Sequence, residues 1–267
     1  MTIGHKNDRI SLLVVGLLLL CAGTGTAQSA PDDQALQKEI DALKAGQQAI
    51  QKDLAEIKKL LQNQRPQPAK PAPFKLQDVS IKGAPFLGDA NATLTLVEFT
   101  DYQCPFCKRH FNGVLPQIKK DYVETGKVKY VMRQFPLFSI HPRATKASEA
   151  ALCAGDQAKY WEVHDRIFRD QRKLSDEDLQ GHAEAEGLEA TRFKDCLSSG
   201  KYTEQVKLDA AEGAKAGVRG TPSFFLGLTD PSNSDKIKAT QYIRGAQAFP
   251  SFKSAIDKML SANKGSD

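Results

Sequence analysis

Asp101-Tyr102-Gln103-Cys104-Pro105-Phe106-Cys107 is the stretch that decides how this chain folds. Two cysteines stand two residues apart. The apolar run Thr93–Phe99 comes just before them, and a helical pattern reaching about Val123, with Pro116 as a possible kink, begins at the second. A Cys-x-x-Cys at a strand-to-helix junction is where a pair of thiols becomes a redox device. Helix N-terminal N–H groups stabilise a thiolate at Cys104, and Cys107 lies one turn further in, close enough to close a disulfide. Cys104 is thus the candidate nucleophile and Cys107 the resolving thiol.

Outward from this motif the pattern is α/β. Thr93–Phe99 reads as a central strand, apolar on both faces except at Glu98, and Val128–Phe135 as the next strand. With the helix between them they form a β-α-β unit, hence a parallel pair. Val79–Ile81 is a candidate edge strand, and Gly83–Ala92 is turn-rich. Residues 142–216 read as an all-helical insertion of four or five helices, with a capping pattern at Ser175–Asp178 and stops at Gly187 and Gly200. Trp161 and His164 are placed in its core. Strand signals return at Ser223–Leu226 after Thr221-Pro222, an X-Pro bond in a tight turn and so a candidate for the cis form. Gly227–Ala239 reads as a polar loop, Gln241–Arg244 as a last strand and Phe249–Ser261 as a last helix.

Towards the N-terminus the organisation changes. Residues 1–27 read as a cleaved signal peptide, with Lys6 and Arg9, then an apolar run Ile10–Leu20, then Gly25-Thr26-Ala27. The run is shorter than the ~17 residues of a spanning helix, which argues against an uncleaved anchor. Residues 28–62 carry a heptad seam, Leu36, Ile40, Leu43, Gln47, Ile50, Leu54, Ile57 and Leu61. The seam predicts a homo-oligomeric coiled coil through residues 36–61. The competing reading is a single amphipathic helix packed on the rest of the chain. Residues 63–75 hold Pro66, Pro68, Pro71 and Pro73 and read as a semi-rigid linker.

Bulk properties exclude little else. The 267 residues carry a net charge of +5 with 26% charged residues, and the basic ones are dispersed among acids. No nucleic-acid partner is expected from that. No metal is expected: a zinc site needs a second close pair, and Cys153 and Cys196 stand far apart in the sequence. Thiol exchange calls for no cofactor.

Three segments together resemble the exported DsbA-type thiol:disulfide oxidoreductases. They are Val97–Cys107, Gly217–Phe224 and Gly245–Gln247. The resemblance covers about residues 76–262 and not the heptads. It implies a thioredoxin-like fold, built from residues 76–141 and 217–267, with the helical insertion between them. It implies that Cys104 is the exposed attacking cysteine and Cys107 the buried one. Pro222 would be the cis-proline beside them, and Thr221 the residue whose backbone pairs with a substrate peptide. Pro105 and Phe106 join this substrate-binding set. Glu98 matches the family's buried acid, whose carboxyl relays a proton to or from Cys107; a satisfied polar residue is the competing reading. The strong oxidants of the family have histidine where Phe106 stands, so a weaker oxidant is expected here. Cys153 and Cys196 are expected to form a structural disulfide between two insertion helices, against a second redox pair.

The expected function is disulfide exchange with unfolded or misfolded exported proteins, in the periplasm, with a membrane redox partner as the family implies. A disulfide isomerase or reductase kept reduced in that compartment is the alternative. A holdase chaperone or scaffold is the reading from a different class.

Overall fold

The computed structural model describes residues 33–64, 75–230 and 235–264. The expected signal peptide and residues 65–74 of the expected linker lie outside these. The chain divides into two units, residues 1–70 and 71–267.

The described residues of the first unit form one helix, α1, Asp33–Gln64. Of its seam residues, Leu36, Ile40, Leu43, Ile50, Leu54 and Ile57 are exposed, Leu43 the most of these at 73%. Isolated helices are marginal in water, and helices in proteins draw most of their stability from packing an apolar face.

The second unit is built on a six-stranded sheet. In chain order the strands are β1 (Gln77–Ser80), β2 (Phe86–Leu87), β3 (Leu94–Thr100), β4 (Val128–Gln134), β5 (Ser223–Leu228) and β6 (Lys236–Arg244). Their spatial order is β1-β6-β5-β3-β4-β2. Strands β3 and β4 are parallel, Leu94 opposite Val128 through Thr100 opposite Gln134. The other pairings are antiparallel. All seven residues of β3 are buried, as the run of apolar residues on both faces requires.

Helices α2 (Pro105–Gly113) and α3 (Leu115–Ile118) connect β3 to β4, ending in a π-helical turn, Lys119–Val123. The helix thus begins at Pro105, two residues before the expected start. Proline suits the first turn, where its missing N–H costs nothing. The chain also breaks at Val114 rather than merely kinking. Pro116 cannot donate to the Asn112 carbonyl and its ring crowds it. Gln117 repairs part of the break, its Nε2 donating to Gly113 O at 2.6 Å.

Five helices stand between β4 and β5: α4 (Ala144–Gly155), α5 (Tyr160–Arg169), α6 (Asp176–Ala185), α7 (Ala190–Ser199) and α8 (Thr203–Lys215). The capping box at Ser175 and Asp178 forms in both directions, and Gly200 ends α7 in the left-handed conformation. A Cys153–Cys196 disulfide ties α4 to α7. Helix α9 (Phe249–Lys264) closes the unit.

The sheet separates two apolar clusters. On one face Leu96, Tyr130, Met132 and Phe224 meet Phe252 and Ile256 of α9, and this cluster continues into the insertion through Tyr102, Phe168 and Leu197. On the other, Val97, Phe99, Val131 and Phe225 pack with Phe135 and Val218. At Gly213 of α8 a Cβ would stand 2.7–2.8 Å from the rings of Phe99 and Phe135, so only glycine lets the helix lie this close.

Gly83–Ala92 is turn-rich as expected, and within it Phe86 and Leu87 pair with β4 as β2. One further expectation is corrected. Gly227–Ala239 is not all loop. β5 runs to Leu228 and β6 starts at Lys236, where polar residues alternate with buried Ile237 and Ala239 and β1 supplies a pairing edge. Trp161 is only half-buried, its indole N–H donating to Phe86 O at 3.1 Å. His164 is buried, among Tyr102, Trp161 and Phe168.

Candidate active site

Cys104 is the N-cap of α2 and Cys107 sits in its first turn; both are free thiols. The turn into the helix is fixed by Asp101, which is fully buried. Its main-chain oxygen accepts from Cys104 N at 3.1 Å, and its carboxylate accepts from Gln103 N and Leu137 N at 2.7 Å and meets His141 Nδ1 at 2.8 Å. A short carboxylate with three partners is a strong pin for a loop.

The Thr221–Pro222 bond is cis. It brings the Thr221 carbonyl to the Cys104 sulfur, whose S–H donates to it at 3.5 Å. The Pro222 carbonyl accepts from Gly245 N at 2.9 Å, and Arg109 donates to Ala246 O at 3.1 Å. The three segments quoted from the sequence therefore meet at one place.

The exposure expected for Cys104 is not found. It is 3% exposed against 1% for Cys107, because the Thr221 turn packs over the sulfur. What separates the two thiols is acidity. The Cys107 thiol, then the Thr221 side chain and the backbone N–H groups of Cys107 and Phe106, hold Cys104 down at about 6 against the opposing effect of burial. Burial pushes Cys107 well up, and its bond to Cys104 and the Cys104 and Glu98 charges add to that. The backbone share is the helix N-terminus at work. Phe106 is 53% exposed, with the Arg109 guanidinium 5.1 Å from its ring centre.

Glu98 lies on β3 facing the same cluster as Cys107, 2% exposed. Burial raises its carboxyl to about 7 against the opposing hydrogen bond from Tyr130. The Tyr130 hydroxyl donates to Glu98 Oε2 and lies 3.0 Å from His110 Nε2. Burial drives His110 down to about 3, so it is neutral and its 3.8 Å approach to Glu98 is no ion pair at neutral pH. Tyr130 and His110 were not singled out by sequence reasoning. His110 was findable, since it follows Cys107 by three on the same helix face. Also unanticipated are Phe138 and Ile140, 77% and 68% exposed, on the loop that Leu137 and His141 anchor to Asp101.

Comparison with known proteins fits this geometry. The sequence model of a family described as thioredoxin matches residues 80–243. The chain belongs to the thioredoxin family. Within that family, a "probable disulfide bond formation protein D" from Bacillus anthracis is 30% identical over 183 residues, 65% of this chain and 77% of that one. Among solved structures, alpha-DsbA1 of Wolbachia pipientis superposes with a TM-score of 0.59 at 25% identity, over 69% of this chain and 94% of that one. The thioredoxin-like fold with its helical insertion is thus of the DsbA type. A third relative is the Na(+)/H(+) antiporter NhaA 1 of Salinispora arenicola, 34% identical over 152 residues. That match takes 57% of this chain, and the chain spans about a quarter of the length of the antiporters it matches, 23% in this case.

Proposed function

We propose that this thioredoxin-family chain is an exported thiol:disulfide oxidoreductase that exchanges disulfides with protein substrates through Cys104 and Cys107. The observation that carries the reading is two free thiols one helical turn apart at the start of α2, with the carbonyl of the cis Thr221–Pro222 bond 3.5 Å from the Cys104 sulfur. In the oxidised form a substrate thiolate attacks the Cys104 sulfur. The bond to Cys107 breaks, and Cys107 leaves as a thiolate and takes a proton, for which the Glu98 carboxyl at about 7 is the nearby donor. A second substrate thiol, as thiolate, then attacks the substrate sulfur of the mixed disulfide. Cys104 departs readily because it is the more stable thiolate. The substrate gains a disulfide and the enzyme is left as the dithiol, which a membrane redox partner reoxidises. Thr221 and Pro222, with Pro105 and Phe106, form the surface against which an extended substrate strand lies. No histidine donates to Cys104 from the Phe106 position, so Cys107, the Thr221 side chain and the backbone carry the thiolate's stabilisation, consistent with a milder oxidant.

Residues 1–27 direct export to the periplasm, and residues 36–61 join copies into a coiled coil. The uncovered seam of α1 favours a second reading, a disulfide isomerase or reductase whose several sites face one misfolded chain.

Replacing Cys104 by Ser tests the class: an oxidoreductase loses exchange with insulin, and a holdase or scaffold keeps its activity. Trapping Cys104 and Cys107 by alkylation in intact cells tests the direction. A mostly oxidised pair fits the oxidase; a mostly reduced pair fits the isomerase or reductase.

A further inference from the structure

Gln171 lies two residues beyond the end of α5, in the connection to α6, half-buried. Its side-chain amide reaches across to the turn before α2. Nε2 donates to the carbonyl oxygens of Tyr102 and Cys104, each at 2.9 Å. An amide NH2 has two protons, so both bonds form together. The two carbonyls bracket Gln103 in the turn that delivers Cys104 to the helix. The Cys104 carbonyl also accepts from Lys108 N at 3.2 Å, which starts α2.

The contact is reciprocal. Lys108 Nζ donates back to Arg169 O, the last residue of α5, at 2.9 Å. Tyr102 is held from the same side, its hydroxyl 3.0 Å from that of Tyr160 and its ring 4.9 Å from Phe168. The start of α2 and the end of α5 are therefore stitched by side chains donating to main-chain oxygens. Packing needs only a shape that fits. Two directed bonds to consecutive-but-one carbonyls fix the backbone dihedrals between them.

Those dihedrals matter because Cys104 is the N-cap of α2, where the orientation of its sulfur toward the unpaired N–H groups of the first turn sets how strongly the helix N-terminus stabilises a thiolate, and such interactions weaken steeply as their angle closes. Bonds to a charged acceptor are the stronger kind, so they lose most by misalignment. We propose that Gln171 is a positioning residue for Cys104: by holding the Tyr102 and Cys104 carbonyls, the insertion keeps the thiolate aligned with the N-terminus of α2. The proposal rests on Cys104 being the attacking sulfur. Titratable groups around that sulfur are Cys107 and Glu98, and the cations of α2, Lys108 and Arg109, are turned to the Arg169 and Ala246 carbonyls.

The test uses the reduced full chain with Gln171→Met, which keeps the side-chain volume and removes both donors, and Gln171→Glu, which sets an acceptor against two acceptors. The readout is the rate of Cys104 alkylation by iodoacetamide as a function of pH, with folding checked by circular dichroism. The midpoint is expected to rise by about one pH unit in Gln171→Met, with a roughly tenfold slower rate near pH 5, and to rise further in Gln171→Glu. A Gln171→Ser chain provides the same readout if the methionine chain fails to fold. Folded variants with the midpoint of the unaltered protein overturn the proposal. Insulin reduction by the unaltered chain is scored separately. Its absence would remove the exchange reading, while the alkylation midpoint still decides on Gln171.

Discussion

The hydroxyl of Tyr130 donates its single proton to the carboxylate of Glu98, which lies on the neighbouring strand. That proton cannot also serve His110, so His110 Nε2–H is the donor in the 3.0 Å contact between them. Tyr130→Phe removes the hydrogen bond that opposes the effect of burial on Glu98. The Glu98 carboxyl, at about 7 in the intact protein, should then titrate higher, as read by carbon NMR of the labelled side chain. The variant should also lose about 1–3 kcal/mol of stability, because a buried imidazole N–H is left without an acceptor. An unmoved Glu98 titration would show that Tyr130 does not tune it.

Redox state and pH should be linked. Cys104 is depressed from 9.0 to about 6 in the folded dithiol form. Between those values the unfolded chain holds the proton and the folded chain does not, so stability rises with pH across that window and is lost as pH falls towards 6. Cys107, shifted upward, begins to act only above about 9. Glu98 works in the opposite sense, removing stability as pH rises from 4.5 to about 7, but it is present in both redox forms. The stability of the dithiol form relative to the disulfide form should therefore grow by up to about 1.4 kcal/mol per pH unit within the window. Urea unfolding of both forms between pH 6 and 9 measures this. A difference that stays flat with pH would mean Cys104 is not held down.

Leu43→Asp places a charge in the seam of α1, at its most exposed apolar residue. Light scattering should find the chain without residues 1–27 as an oligomer and this variant as a monomer, with insulin reduction intact in both. A monomer at micromolar concentration without the substitution would remove the coiled coil.

Cys153 and Cys196 close a loop with a sequence separation of 43. A loop of that size corresponds to about 4 kcal/mol in the chain-entropy description of a disulfide. Replacing both by alanine should lower the melting temperature while exchange at Cys104 persists. Loss of exchange in a variant that still folds would instead point to a second redox pair.

The fold was legible where the pattern is local and strong. Strand β3, the cysteines at a helix start and the cap at Ser175 each state themselves within a dozen residues, and the helix α1 states itself through a regular spacing of apolar residues along its length. What stayed hidden depends on distant partners. β2 is only Phe86–Leu87, and the first half of β6 alternates lysines with Ile237 and Ala239, so both become strands through the edges β4 and β1 offer them. At the site, Glu98 could be picked out as the one charge in an apolar strand. Its partner Tyr130 is 32 residues away, and Gln171 is 67 from Cys104, and no periodicity announces either contact. The near-complete burial of Cys104 was invisible for the same reason, since the Thr221 turn that covers it arrives 117 residues later.

The apolar cluster that starts on the sheet at Leu94 runs without a break through Tyr102 into Phe193 and Leu197 of the helices between β4 and β5. Those helices have no separate interior to fall back on. Excising them and rejoining the chain would strip the sheet of one wall, and a fragment holding only them would bare the matching surface to water. Residues 75–264 should accordingly melt in a single transition, with the calorimetric and van't Hoff enthalpies equal. The part that carries the cysteines and the part that braces them would then be inherited, stabilised and lost together.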